Sequence, residues 1–169
     1  MNPLIVILCL IAIYYFLKPS KTSKELTLIR EYNIGMTNKF RPIAKRMSLT
    51  VNLDENLIMA IIAQESAGIP TAIGSSGEIG LMQIMPAALQ DVNEVYGTAY
   101  NSENLMDIEI NIEVGARYLA WLKTKCNGNI QKAIQSYNAG LGAVSKNPNI
   151  SLKYYQSVRQ YWQIFTERA

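Results

Sequence analysis

After residue 36, the hydrophobic residues recur mostly at spacings of three and four, which is the period of an α helix. In residues 55–66, for example, Leu57, Ile58, Ile61 and Ile62 fall on one helical face. The same pattern predicts helices over residues 25–32, 40–49, 55–66, 86–96, 107–125, 130–137 and 151–165. Because strand-like alternation is absent, we predict a single all-α domain over residues 37–169.

Individual residues indicate where these helices begin and end. Asp54 is a good N-cap for the helix that starts at Glu55, and Pro86 suits a first helical position. Gly140 is placed to stop the helix that precedes it. Between two of the helices, residues 74–80 are rich in glycine and serine, which predicts a loop.

The first 17 residues have a different character from the rest of the chain. They contain no charged residue, and residues 3–17 are almost wholly apolar. A helix of this length spans about 25 Å, slightly less than a hydrocarbon core of ~30 Å. A signal peptide is the alternative, but its basic start and small-residue cleavage site are absent. We predict a transmembrane anchor over residues 1–17, in contact with lipid through residues 3–17, and a linker over residues 18–36.

Composition limits the chemistry that the domain can perform. The 169 residues include no histidine and only two cysteines, and the net charge is +3. Imidazole catalysis and cysteine-rich zinc modules are therefore excluded, and we expect neither a metal nor a cofactor. Acid chemistry has to come from carboxylates or, less often, from tyrosine or lysine. The net charge is too small to indicate binding to nucleic acid. Cys9 lies inside the apolar segment, so we do not expect it to form a disulfide with Cys126.

Glu65 is the best candidate for an acid. It follows Ile58 by seven residues, Ile61 by four and Ile62 by three, so it lies on the apolar face of its own helix. Burial of a carboxyl group raises its pKa, and a general acid that works near neutral pH needs a raised pKa. The alternative is a glutamate at a helix end that extends into solvent, and periodicity alone leaves both open.

Two further segments carry polar side chains that suit a binding groove. Gln83 stands among apolar neighbours directly after the glycine-rich loop, which is typical of an orienting hydrogen bond in a cavity. Tyr137 and Asn138 place a phenol and an amide at a helix end beside Gly140. Each has a purely structural alternative, in which Gln83 bonds to the backbone and Tyr137 packs in the core.

Taken in order, these motifs resemble one known family. They are Glu65-Ser66, Gly80-Leu-Met-Gln-Ile-Met-Pro86, Asn111-Ile-x-x-Gly115-x-x-Tyr-Leu119, Tyr137-Asn-Ala-Gly140, and Tyr154 with Val158. The combination is similar to the catalytic domain of the soluble lytic transglycosylases, over residues 40–165. That resemblance implies a lysozyme-like fold related to goose-type lysozyme.

The resemblance also implies an activity, namely cleavage of peptidoglycan between N-acetylmuramic acid and N-acetylglucosamine. Glu65 would protonate the glycosidic oxygen and then take a proton from the sugar's 6-hydroxyl, which closes a 1,6-anhydro ring without adding water. Tyr137 would bond to the Glu65 carboxyl. The substrate contacts implied by the family are Ser75, Gln83, Met85, Tyr137, Asn138 and Tyr154.

Three residues depart from the family's pattern. Gly74 stands where many members carry a serine that contacts substrate, although Ser75 is adjacent. Ile150 replaces a glutamate. Glu78 stands where alanine is common, and it is a possible second carboxylate. A second carboxylate would favour hydrolysis, so a muramidase remains an alternative, as does a peptidoglycan-binding envelope protein without catalysis.

The predicted anchor raises a question of orientation. Lys18, Lys21 and Lys24 follow the apolar segment and no basic residue precedes it, so the positive-inside rule leaves the domain in the cytoplasm. An enzyme of the outer envelope needs the reverse. We expect a protein anchored in the cell envelope or in a virion membrane, and wall opening in virus entry, conjugation, secretion or turnover all fit.

Overall fold

The prediction of an all-α domain is confirmed over the residues that the computed structural model describes, 22–169. Eight α helices lie within them: α1 (Ser23–Thr37), α2 (Arg41–Val51), α3 (Glu55–Ser66), α4 (Pro86–Tyr96), α5 (Ile108–Lys125), α6 (Ile130–Ala139), α7 (Leu141–Lys146) and α8 (Leu152–Glu167). Short 3-10 helices cover Asn38–Phe40 and Asn104–Met106. The predicted anchor over residues 1–17 lies outside the described residues. Within 22–169, no helix is long and apolar enough to cross a membrane.

Side chains at the helix starts fix the boundaries much as the sequence predicts. The Asp54 carboxylate accepts a hydrogen bond of 2.8 Å from the Asn56 N–H and caps α3. Asp107 accepts one of 3.0 Å from the Ile110 N–H, so it caps α5 and is not its first residue. The predicted ends of α3 and α4 match the observed ones.

Helix α3 runs through the middle of the domain. Every residue from Leu57 to Ala63 is at most 1% exposed, because α1, α2 and α8 all contact this helix. The sequence pattern suggested a single apolar face, but a helix that is apolar on all sides is one enclosed by its neighbours. Glu65 lies in the last turn of this helix, just before the chain leaves the core.

The predicted linker over residues 18–36 contains most of helix α1. Helix α1 extends to Thr37, and its last turn belongs to the domain, since Ile34 and Thr37 are buried. The Asn33 side chain also donates a hydrogen bond of 2.8 Å to the Tyr161 hydroxyl. The earlier turns of α1 are exposed, with Leu28 at 61%, so the helix lacks the apolar stripe that would have revealed its packed end.

Helix α7 was not predicted from the sequence. It has only six residues, and it follows Gly140, whose φ of 82° breaks the chain direction after α6. A helix of fewer than two turns presents no periodic stripe, so only its packing reveals it. Cys126 is free among the described residues, and Cys9 lies outside them.

Candidate active site

The Glu65 carboxyl lies where α3 ends and meets α8. Ala67, in the left-handed conformation with φ of 54°, turns the chain away directly after Ser66. The Tyr154 hydroxyl, from the first turn of α8, donates a hydrogen bond to Glu65 Oε1. Beside this pair, Ser157 Oγ donates to Gln64 Oε1 at 2.5 Å and ties the same two helices together. The acid is thus held between two rigid helices.

The pKa of the Glu65 carboxyl is unusually high for a glutamate. Desolvation raises the pKa of Glu65 from 4.5 to about 7, the Tyr154 hydrogen bond opposes that rise, and the nearby charge of Glu78 adds to it. Of the two alternatives that the sequence left open for Glu65, the structure excludes the one that extends into solvent, because the side chain is partly buried and bonded to Tyr154. A carboxyl group with a pKa near 7 exists in both protonation states at neutral pH, as a group that both gives and takes a proton must.

Tyr137 does not make the contact that the resemblance implied. Its hydroxyl donates a hydrogen bond of 2.8 Å to the Met82 carbonyl, and its ring packs 5.5 Å from that of Tyr118. The phenol that bonds to Glu65 is that of Tyr154. Tyr137 nevertheless lies near the acid, as the contribution of the Glu65 charge to its raised pKa indicates. Helical spacing in the sequence cannot tell which of two tyrosines on different helices reaches the carboxyl.

Gln83 is bonded to the backbone of its own loop. Its Nε2 group donates to the carbonyls of Ala72, at 3.1 Å, and Gly80, at 2.9 Å. Gln83 itself has a φ of 47°, so the backbone turns sharply there. Isolated bridges between Ile73 and Ile79 and between Ile79 and Ile84 complete the loop. The amide therefore shapes the loop that separates α3 from α4.

Asn111 anchors that loop to α5, a role that its place in the sequence motif did not indicate. Its side chain is 1% exposed, and it accepts a hydrogen bond of 2.9 Å from the Met82 N–H. It also donates to the carbonyls of Ile79 and Leu105, each at 2.9 Å. One turn further along α5, a β-carbon on Gly115 would lie 2.8 Å from Met82 Cβ. Because Gly115 has no side chain, Met82 of the loop can pack directly against α5 at this position.

A cavity of about 200 Å³ opens beside the loop, and it brings together four of the predicted site residues. Its lining includes Gln83, Met85, Tyr137 and Asn138. The Asn138 carbonyl oxygen accepts a hydrogen bond of 2.8 Å from Ser151 Oγ, which orients the amide. Ser75 is exposed at the tip of the loop and does not line this cavity.

A larger cavity, of about 690 Å³, lies elsewhere in the domain. Its lining includes Tyr96, Arg117 and Lys123 but no carboxylate, so it offers no acid for catalysis. Within residues 22–169, no group of three or more acidic or cysteine side chains is close enough to hold a metal ion. Glu65, whose pKa burial raises to about 7, therefore remains the candidate acid.

Comparison with known proteins agrees with this arrangement. The profile of the transglycosylase SLT domain matches residues 41–157. This chain belongs to the transglycosylase SLT domain family. Membrane-bound lytic murein transglycosylase C from Yersinia pestis (strain Pestoides F) is 34% identical in an alignment 117 residues long, which covers 63% of this chain and 33% of that protein. The Yersinia pseudotuberculosis protein of the same name matches equally well.

Solved structures of the SLT domain family have the same fold. An inactive mutant of lytic transglycosylase Slt from Pseudomonas aeruginosa superposes with a TM-score of 0.70 at 27% identity, over 76% of this chain and 24% of that one. The 70-kDa soluble lytic transglycosylase in complex with bulgecin A gives a TM-score of 0.60 at 31% identity, over 63% and 18%. The chain thus spans about a third of its curated relatives' length and a quarter or less of these structures.

Proposed function

We propose that this chain is a membrane-tethered lytic transglycosylase, which cleaves the β-1,4 bond between N-acetylmuramic acid and N-acetylglucosamine in peptidoglycan. The observation that carries the proposal is the Glu65 carboxyl in an SLT domain: the Tyr154 hydroxyl holds it, its pKa is about 7, and its charge acts on Tyr137, which lines the cavity. Relatives named lytic murein transglycosylases support the choice of polymer. No histidine in the chain offers an alternative proton carrier.

In the proposed mechanism, Glu65 acts first as an acid and then as a base, on two different protons. First, the protonated carboxyl donates its proton to the glycosidic oxygen, and the bond between C1 and that oxygen breaks. The substrate's own N-acetyl oxygen stabilises the positive charge that develops at C1. The Glu65 carboxylate then removes the proton of the 6-hydroxyl, whose oxygen bonds to C1. The acid is regenerated, and no water enters the product.

The surrounding residues serve this cycle in different ways. Tyr154 stabilises the Glu65 carboxylate between the two steps, since its hydroxyl donates to Oε1. Because both Nε2 hydrogens of Gln83 are bonded to backbone carbonyls, we assign Gln83 to shaping the groove. Met85, Tyr137 and Asn138 would contact the sugar rings. Ser75 is exposed, so a contact to it has to come from an outer part of the substrate.

Hydrolysis of the same bond is the second candidate, and Glu78 is the observation that favours it. Its charge acts on Glu65, so a second carboxylate lies near the acid. Two carboxylates on opposite sides of the bond, with room for a water molecule, are what an inverting hydrolase needs.

The chemical form of the glycan end that cleavage creates distinguishes a transglycosylase from a muramidase. We expect mass spectrometry of purified peptidoglycan treated with the full-length chain to show fragments ending in 1,6-anhydromuramic acid. Fragments with free reducing ends, which are heavier by one water, would indicate a muramidase. Binding to peptidoglycan without any soluble fragments would indicate a protein that recognises the polymer but does not cleave it.

The tether is a separate part of the proposal. It rests on the apolar residues 3–17 and on relatives whose names include the term membrane-bound. We expect the full-length chain to sediment with membranes and to remain there after a carbonate wash, whereas a chain lacking residues 1–17 stays in the supernatant. Protease added to intact cells or particles would show on which side the domain lies. A full-length chain that carbonate releases would contradict the anchor.

A further inference from the structure

The tip of the loop between α3 and α4 is closed by its own hydrogen bonds. The Gly74 N–H donates to the Glu78 carbonyl at 2.8 Å, and the Gly77 N–H donates to the Gly74 carbonyl at 3.2 Å. The Glu78 side chain folds back over this turn, where its Oε2 accepts a hydrogen bond of 2.9 Å from the Ser76 N–H. The position of the carboxylate is therefore set by the turn.

Gly74 leaves the space that this carboxylate fills. A β-carbon built on Gly74 would lie 2.1 Å from Glu78 Oε2 and 2.8 Å from the carboxyl carbon, distances that real β-carbons do not show. The same β-carbon would lie 2.9 Å from Gln83 Oε1. The Glu78 carboxylate therefore lies near the Gln83 side chain, which lines the cavity. The two departures from the family's pattern, Gly74 and Glu78, are parts of one arrangement.

The groups that face Glu65 come from three elements. Tyr154 approaches from α8, Tyr137 from α6 and Glu78 from the loop. The two phenols are neutral in this environment, because burial raises both of their pKa values well above 10. None of the ion pairs among residues 22–169 includes Glu78, so no neighbouring cation within 4 Å cancels its charge.

We propose that Glu78, seated by Gly74, is a positioning residue that increases the protonated fraction of Glu65 at neutral pH. This inference rests on the proposed function, in which the first step needs the protonated acid. Ionisation of Glu65 would add a second negative charge near that of Glu78, and nearby like charges disfavour that state. The direction agrees with the effect of Glu78 on the pKa of Glu65, although burial has the larger effect.

The experiment follows the protonation of Glu65 in two independent ways in the full-length chain. The first is the 13C NMR titration of the Glu65 carboxyl carbon, and the second is the pH dependence of kcat for peptidoglycan cleavage. Glu78→Gln removes the charge and preserves the shape. We expect it to move the Glu65 titration and the alkaline limb of kcat to lower pH, with a loss of kcat at pH 8 on the order of threefold and little change at pH 5.

Three variants control for other causes. Gly74→Ala keeps the charge of Glu78 but displaces its flexible carboxylate. We expect it to move the Glu65 titration to lower pH, as Glu78→Gln does. Tyr154→Phe removes the hydrogen bond that lowers the Glu65 pKa, so its shift is expected to be upward. Glu109→Gln removes an exposed negative charge on α5, and it is expected to leave the titration unchanged.

The outcomes separate this inference from the proposed function. If Glu78→Gln and Glu109→Gln titrate alike, the positioning role is wrong, whether or not the chain cleaves peptidoglycan. If Glu78→Gln abolishes cleavage at every pH while Glu65 titrates as in the parent, Glu78 acts directly on the substrate and the inference is again overturned. If no variant cleaves but the shift is present, the inference holds for the acid and the proposed function fails.

Discussion

Replacing Glu65 with glutamine is expected to lower the rate of peptidoglycan cleavage by roughly 10³-fold, since positioned general acids contribute about 10² to 10⁴. Glutamine has nearly the same shape and still accepts the Tyr154 hydrogen bond, but its amide has no proton of suitable acidity to donate. Both steps of the proposed cycle would therefore be lost together. The rate is measured as soluble fragments released from purified peptidoglycan by the full-length variant and by its parent.

The stability of the same variant shows that such a loss is not caused by unfolding. The Glu65 pKa is raised on folding from 4.5 to about 7, so the folded state binds this proton more tightly than the unfolded chain does. The parent accordingly loses stability as the pH rises from 4.5 through 7, by about 3 kcal/mol in total. Glutamine carries no charge, so we expect Glu65→Gln to be more stable than the parent above pH 7, with the difference falling toward pH 4.5.

The variant is also expected to keep its affinity for insoluble peptidoglycan, because the lining of the groove is unchanged. A folded Glu65→Gln chain that cleaves within tenfold of the parent's rate would contradict the assignment of the acid. Equal stability of parent and variant at all pH values would contradict the burial that is held responsible for the raised pKa.

The position of Glu65 on the apolar face of its helix is the part of the site that the sequence predicted best. Its spacing from Ile58, Ile61 and Ile62 depends only on the geometry of one helix, which a local pattern captures well. The same is true of the cap at Asp54, where the carboxylate bonds to an N–H two residues away. Features that arise within one turn of the chain can be predicted without knowledge of the tertiary fold.

The contacts between elements could not be predicted in this way. Tyr154 is 89 residues from Glu65 along the chain, so the hydrogen bond between them depends on how α3 and α8 pack. The fold-back of Glu78 onto Gly74 spans only four residues, but it depends on a turn that a run of glycine and serine does not specify. The buried end of α1 was missed because most of that helix is exposed.

Replacing Asn111 with alanine is expected to have the largest effect on stability. The change removes the acceptor of the buried Met82 N–H and a donor to the carbonyls of Ile79 and Leu105. An unsatisfied buried polar group costs about 1–3 kcal/mol, so we expect the free energy of unfolding to fall by about 3 kcal/mol. For a domain of this size that is about 10 °C in Tm. Cleavage should weaken too, because Met82 and Gln83 belong to the anchored loop.

Thermal unfolding of the full-length chain measures this effect, and Asn149→Ala is the matched control. Asn149 is exposed, so the same truncation there is expected to change the free energy of unfolding by less than about 0.5 kcal/mol. A similar Tm for both variants would mean that Asn111 does not hold the loop.

Asn111→Asp tests the direction of these hydrogen bonds. The aspartate keeps an acceptor for the Met82 N–H, but it places a second oxygen opposite the carbonyls of Ile79 and Leu105, where the parent has the donating amide. As a carboxylate it can donate to neither carbonyl, and its buried charge adds a desolvation penalty, so at neutral pH we expect a loss at least as large as that of alanine. Protonation restores one donor. The difference in Tm from the parent should therefore narrow as the pH falls, whereas the alanine variant should show no such recovery.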